Sequence, residues 1–157
     1  MFKKVLKNQK GLTLIELLAV VVILGIIAAI AIPSIGNIIQ KSKEDAVKSD
    51  AMQVISAAKT YVSANGIPEG TTPAGTMTDV VLKKYVDDVS LDAGYSVQVV
   101  TDTDGAATYK LTGVKTIGNA VITFTGATLK GIKADKDFTG KPRTITGDTV
   151  AATTTTK

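Results

Sequence analysis

Glu16 is the residue of this sequence whose chemistry most needs an explanation. It is the only charged residue between Lys10 and Lys41, and the stretch around it, LTLIELLAVVVILGIIAAIAIP, is almost entirely apolar. A charged side chain at the centre of a membrane-spanning helix costs about 2.5–3.5 kcal/mol on insertion scales. A carboxylate in this setting therefore indicates a specific partner or a specific use.

Composition excludes most other chemistry. The 157-residue chain has no cysteine and no histidine, which removes disulfides, thiolate zinc sites, thiol nucleophiles and the commonest general base. The pairs Asp87/Asp88 and Asp102/Asp104 could suggest calcium binding or acid–base chemistry. A metal site needs several convergent ligands, so solvated turn carboxylates are the favoured interpretation. We predict a protein that is not an enzyme, with no catalytic residue, metal or cofactor.

The positive charge of the chain belongs to its first segment. The formal net charge is +4, from 18 basic and 14 acidic residues, and four lysines lie in the first eleven residues. Without them, 14 basic residues face 14 acidic ones. Aromatic residues are 4% and tryptophan is absent, so neither the charge nor a stacking platform indicates a nucleic-acid partner.

The element that carries Glu16 is predicted to be a long helix. The 21 residues 12–32 are nearly all apolar, enough to span a bilayer core of about 30 Å. The lysines precede this run, which places residues 1–11 in the cytoplasm and the remainder outside. We expect a break or kink at Pro33, which lacks a backbone donor, with Gly25 and Gly36 weakening the same region.

The helical pattern continues beyond Pro33 with one apolar face. Val47, Ala51, Val54 and Ala58 recur at intervals of three and four residues, as on the buried face of an amphipathic helix. The opposite face is predicted to be exposed and carries six charged residues: Lys41, Lys43, Glu44, Lys48, Asp50 and Lys59. Glu44 and Lys48 are spaced for an i,i+4 ion pair. Asn65-Gly66 should end a helix that begins near Leu12.

The rest of the chain changes from helical periodicity to alternation. We predict a loop at 67–77, a short helix capped by Thr78, and antiparallel strands at about 94–101, 106–114 and 119–126, with room for a fourth strand after Phe138. The fold class is α+β, in which the amphipathic half of the helix covers a small antiparallel sheet. The predicted division is residues 1–11 leader, 12–36 membrane half, 37–64 amphipathic half, 65–148 loop, short helix and sheet, and 149–157 a disordered Thr-rich tail.

The ordered set of features at the N-terminus resembles a known family. A basic leader ends in Gly11, and Leu12, Glu16 and Pro33 follow at set positions in an apolar helix. This arrangement closely resembles the N-terminus of type IV prepilins and pseudopilins. Two departures are Leu12, where the family most often has phenylalanine, and the absence of the family's C-terminal cysteine pair. The second favours a cysteine-free pilin of the Gram-positive type.

The resemblance implies a fate for each of these residues. The leader would be cut between Gly11 and Leu12 by a prepilin peptidase, which would also N-methylate Leu12. Glu16 would pair with the Leu12 amine of a neighbouring subunit, so that its cost in the monomer is relieved by assembly. The implied partners are membrane lipid before assembly, copies of the same chain in a cell-surface filament, and an assembly platform with its ATPase.

Several alternatives stay open at this point. Ala29-Ile30-Ala31 is an A-x-A site of the kind that ends a signal peptide, although the apolar run is longer than the usual 7–15 residues. A type IV pilus subunit, a pseudopilin of a type II secretion or competence system, and a membrane-anchored binding module are the three functions considered. The sizeable domain and the Thr-rich tail favour a major pilin, whereas major or minor status and any role in adhesion, motility or DNA uptake are open.

Overall fold

A computed structural model describes residues 13–138, 140–147 and 150–151 of the chain. In chain order the elements are α1 (Leu14–Asn65), β1 (Thr76–Thr78), α2 (Asp79–Leu82), β2 (Ser96–Thr101), β3 (Ala107–Ile117), β4 (Ala120–Ala127), α3 (Leu129–Ala134), β5 (Arg143–Ile145) and β6 (Val150–Ala151). The predicted α+β class, with one long N-terminal helix and a small sheet, is confirmed.

The chain divides into two compact units, the first ending at Ile38 and the second beginning at Ile39. In the first unit α1 is apolar on all sides, and by length and composition it could cross a membrane. The helix continues through Gly25, Pro33 and Gly36, so the expected break is not present there. A proline removes a single intrahelical hydrogen bond, which an otherwise apolar helix tolerates. A kink at Pro33 stays a prediction.

The second unit, called the head below, contains a six-stranded sheet. The strand order is β1-β2-β3-β4-β5-β6. Every neighbouring pair is antiparallel except β4 and β5, which are parallel. A parallel pair needs a crossover, and α3 lies in this one. The three predicted strands correspond to β2, β3 and β4, although β3 continues three residues further than expected, to Ile117.

The core of the head lies between the sheet and one face of α1. Val47, Ala51, Val54 and Ala58 are all buried, as the periodicity predicted. They pack with apolar side chains of the strands and short helices: Met77, Leu82, Leu91, Tyr95, Val97, Val99, Leu111, Ile117, Ile122, Phe124, Ala127, Ile132 and Ile145. Burying apolar surface at about 25 cal/mol per Å² is the main driving force for this arrangement.

Four local features differ from the sequence-based expectations. The strand β1 lies in the stretch predicted as loop, where its three residues pair with β2. Thr78 precedes α2, but its side chain forms no capping hydrogen bond. The helix α3 was not predicted, and Thr128 caps it by accepting from the Gly131 N–H at 3.2 Å. The two residues of β6 pair with β5 although they fall in the predicted disordered tail, and residues 152–157 lie outside the described part of the chain.

Gly131 shows how tightly α3 packs on the C-terminal segment. A Cβ at this position would lie 1.9 Å from the Gly147 carbonyl oxygen and 2.4 Å from that of Thr146. The Thr128 hydroxyl donates to the same Gly147 carbonyl at 2.5 Å. Only glycine permits this approach of two backbones.

Candidate functional site

Glu16 lies in the first turn of α1, where it closes a capping box with Thr13. The Thr13 N–H and the Thr13 hydroxyl each donate to Glu16 Oε2 at 2.8 Å. In return the Glu16 N–H donates to Thr13 Oγ1 at 3.4 Å. This reciprocal pattern is the one that T-x-x-E sequences form at helix N-termini. Residues 13–16 read TLIE, which is a local sequence signal for this capping box.

The capping box leaves the charge of Glu16 without a counter-charge. In the described part of the chain, no cationic group forms a salt bridge with this carboxylate, and its Oε1 atom accepts no hydrogen bond. Gly11 and Leu12, the other two members of the predicted site, lie outside the described residues. Cleavage, methylation and the ion pair therefore stay predictions.

The surface around Glu16 is apolar and exposed. Leu14 is 85% exposed and Ile30 is 72% exposed. Other large apolar side chains between them share this exposure: Ile15, Leu17, Leu18, Val20, Val21, Val22, Ile23, Leu24, Ile26 and Ile27. Soluble monomers rarely expose contiguous apolar patches of more than a few hundred Å². This surface needs lipid or other protein around it.

A second group of charged side chains is fully enclosed in the head. Arg143, on β5, donates from Nη1 to Glu44 Oε2 at 2.7 Å. It also donates to Asp135 Oδ2, at 3.0 Å from Nη2 and 3.1 Å from Nε. Glu44 is 0% exposed, Arg143 2% and Asp135 3%. The guanidinium fork thus links α1 to the segment between α3 and β5.

Lys48 completes this group. Its Nζ donates to the Asp135 carbonyl oxygen at 2.9 Å and lies 3.7 Å from Asp135 Oδ2 and 3.3 Å from Asp45 Oδ1. It also lies 4.0 Å from the centre of the Phe138 ring, which is a cation–π contact. Glu44 receives a further hydrogen bond from the Gln40 amide at 2.8 Å.

This group overturns two expectations. Glu44 and Lys48 were predicted to be exposed on the polar face of the helix, and both are buried. They were also expected to pair with each other, whereas Glu44 pairs with Arg143 and Lys48 with Asp45 and Asp135. The prediction failed because the partners Arg143 and Asp135 are 99 and 87 residues away in sequence, where helical periodicity carries no information.

The remaining carboxylate candidates lie in turns. Asp87 and Asp88 are exposed, as are Asp102 and Asp104. Asp102 accepts from the N–H of Thr103 at 2.8 Å, a local turn contact. Among the described residues no group of three or more Asp, Glu, His or Cys side chains is placed to hold a metal ion.

Comparison with known proteins gives a consistent set of similarities. Residues 6–32 match the family model described as the prokaryotic N-terminal methylation motif. Fimbrial protein Q of Moraxella bovis is 36% identical over 135 residues, covering 84% of this chain and 75% of that protein. The Type IV major alpha-pilin of the same organism is 36% identical over 130 residues, covering 83% and 74%.

A third relative is similar mainly over a shorter stretch. Type IV major fimbrial protein FimA of Dichelobacter nodosus is 52% identical over 54 residues, covering 34% of this chain and 35% of that protein. No solved structure gives a significant match.

Proposed function

This chain belongs to the type IV fimbrial protein, or pilin, family, and from that premise we propose that it is the structural subunit of a type IV pilus. It is made as a prepilin, cut and N-methylated, and polymerised through α1 into a surface filament. The relatives are fimbrial proteins, which favours a pilus subunit over a secretion or competence pseudopilin and over an anchored binding module.

The observation that supports the assembly mechanism is the hydrogen bonding of the Glu16 carboxylate. Its Oε2 atom is occupied by the capping box, while Oε1 accepts no hydrogen bond from the described residues. We place the cleavage between Gly11 and Leu12, which creates a methylated ammonium at Leu12, directly before Thr13. The capping box fixes the Glu16 rotamer, so that Oε1 is presented to the ammonium of an incoming subunit.

The apolar half of α1 can move from membrane to filament at little cost in free energy. In the membrane its side chains contact lipid, and in the filament they contact the same segments of neighbouring subunits. The energetic difference between these two apolar surroundings is small, because lipid tails are about as apolar as leucine. The ion pair therefore decides whether the subunit is more stable in the membrane or in the filament. A carboxylate that is costly alone in lipid becomes favourable next to a cation.

The same proposal assigns the location and the partners. Before assembly the subunit is a single-pass protein of the cytoplasmic membrane with its N-terminus in the cytoplasm, as the leader lysines indicate. A prepilin peptidase acts on Gly11, and an assembly platform powered by an ATPase moves the subunit from lipid to filament.

Mass spectrometry of protein sheared from the cell surface tests the proposal. The expected mass is that of a chain beginning at a methylated Leu12. A chain beginning at Ile32, after Ala29-Ile30-Ala31, or an uncut chain would contradict it. Gly11→Val should abolish the cut, since a β-branched side chain blocks close approach to the backbone, while Lys7→Ala in the same leader serves as the matched control and should be cut normally.

A further inference from the structure

The head carries opposite charges in its two sequence halves. Residues 66–104 contain seven acidic and two basic residues, whereas residues 105–147 contain two acidic and seven basic residues. The head is therefore nearly neutral as a whole but strongly polarised along the chain.

The strand order places the acidic and the basic halves of the sequence at opposite ends of the sheet. β1, α2 and β2 belong to the acidic half and lie at one end of the strand order, while α3 and β5 belong to the basic half and lie at the other. We define the acidic edge by exposed carboxylates, those of Glu69, Asp87, Asp88, Asp102 and Asp104. We define the basic edge by exposed ammonium groups, those of Lys133, Lys136 and Lys141.

The charges of both edges have no salt-bridge partner within the described part of the head. None of these eight side chains forms a salt bridge with a described residue. By contrast, Lys115 Nζ and Asp92 Oδ1 form a salt bridge at 3.0 Å. The head thus contains internal salt bridges, whereas the eight side chains that define the two edges form none with described residues.

The acidic edge also contains a cavity with two carboxylates in its lining. A cavity of about 510 Å³ is lined by Lys83, Asp87, Asp88 and Tyr95, with four apolar neighbours. The Tyr95 side chain is 2% exposed, and its hydroxyl has no hydrogen-bond partner among the described residues. Lys83 Nζ lies 3.9 Å from Asp79 Oδ2, so Asp87 and Asp88 are the carboxylates of this lining that can pair with an incoming lysine.

We propose that the basic edge of one subunit docks on the acidic edge of the next subunit in the filament. The inference rests on the proposed function as a pilus subunit. An open helical filament requires heterologous contacts, in which two different surfaces of the same chain meet. Two opposite edges with complementary, unpaired charge meet this requirement, and such charges fix the register and orientation of docking.

A charge exchange in the full-length protein tests the proposal. Asp87→Lys with Asp88→Lys places like charges against the basic edge, and Lys133→Glu with Lys136→Glu does so from the other side. Each pair should lower the amount of sheared filament about tenfold, the size expected when several exposed pairs are replaced by repulsion. The four substitutions together should restore filament, because attraction returns with reversed sign. Raising the salt concentration should reduce the defect of each single-edge variant.

The outcomes separate this inference from the proposed function. If the wild type forms no filament, the proposed function fails first. If the wild type forms filament and either single-edge variant does so equally well, or if the fourfold variant is no better than its parents, the edge contact is wrong. Lys59→Glu with Lys110→Glu is the control of equal charge change at lysines that belong to neither defined edge, and it should assemble normally. Resistance of each membrane-held variant to protease shows that its head is folded.

Discussion

Glu16 and Glu44 are carboxylates of the same helix, both placed where a charge is expensive, and the protein treats them differently. Glu44 is completely buried and receives Arg143 at 2.7 Å and Gln40 at 2.8 Å. Glu16 is surrounded by exposed apolar side chains, and among the described residues its carboxylate accepts hydrogen bonds from Thr13 alone.

The difference distinguishes an interaction within the folded chain, at Glu44, from a proposed interaction between subunits, at Glu16. A buried charge with all its partners in the same chain contributes little net stability, but removing one partner is strongly destabilising. A charge whose rotamer is fixed by hydrogen bonds but which has no counter-charge can pair with a cation of another molecule. On this basis substitutions near Glu44 should damage the head, and those at Glu16 should damage the filament.

The largest expected effect is that of Glu16→Gln on assembly. The change removes one side of the proposed buried ion pair, which costs about 3–5 kcal/mol and lowers polymerisation by about two to four orders of magnitude. Cleavage should continue, because the proposed peptidase site at Gly11 is unchanged. Electron microscopy and shearing, beside an immunoblot for processing, measure this. Normal filaments of processed Glu16→Gln would refute the ion pair.

Arg143→Met should have the corresponding effect on the head. It leaves Glu44 and Asp135 without their buried guanidinium partner, a loss of about 3–5 kcal/mol in the free energy of unfolding. Thermal unfolding of the detergent-solubilised chain measures it. Replacing Glu44 as well, by leucine, should recover part of the loss. An Arg143→Met protein as stable as the wild type would show that the buried charges are not coupled.

Thr13→Val should give an intermediate effect confined to assembly. It removes the hydroxyl of the capping box but keeps the shape of the side chain and the Glu16 carboxylate. Losing an N-cap costs about 0.5–2 kcal/mol, so filament yield should fall about fivefold. Thr13→Ser, which retains the hydroxyl, is the control. Yields as low as those of Glu16→Gln would show that capping, and not the carboxylate, is the decisive contribution.

The smallest effect is expected for Tyr95→Phe. Because the hydroxyl has no partner among the described residues, its loss should change head stability by less than about 1 kcal/mol at neutral pH. Burial, and the Asp79 carboxylate to a lesser degree, raise the pKa of Tyr95 above its usual value. The unfolded chain then ionises first, so wild-type stability should fall as the pH rises above about 10. Tyr95→Phe should lack this fall in an unfolding series at alkaline pH.

The sequence was sufficient for the elements whose signals are local. The spacing of Val47, Ala51, Val54 and Ala58 predicted the buried face of α1, and alternation predicted β2, β3 and β4. Strand β1 and the helix α3 were missed because each is short and is stabilised mainly by its neighbours. The capping box at Thr13 has a local T-x-x-E pattern, but the same carboxylate also has the features of an unpaired membrane charge, which was the only role predicted for Glu16.

The buried charges could not be predicted by the same means. Glu44 and Lys48 have the spacing of an ordinary exposed ion pair, and only the folded chain brings Arg143 and Asp135 to them. Sequence patterns report which residues share a face of one element, whereas they do not report which distant segment covers that face.

The long separation between Glu44 and Arg143 also has a consequence for the timing of synthesis. The two residues are 99 positions apart, and at about 5–20 residues per second their emergence from the ribosome differs by about 5–20 s. During this interval the apolar half of α1 has already been made and can enter the membrane, while Glu44 still faces water. The buried charge group of the head therefore forms only after Arg143 has been synthesised, when the apolar half of α1 can already be in the membrane.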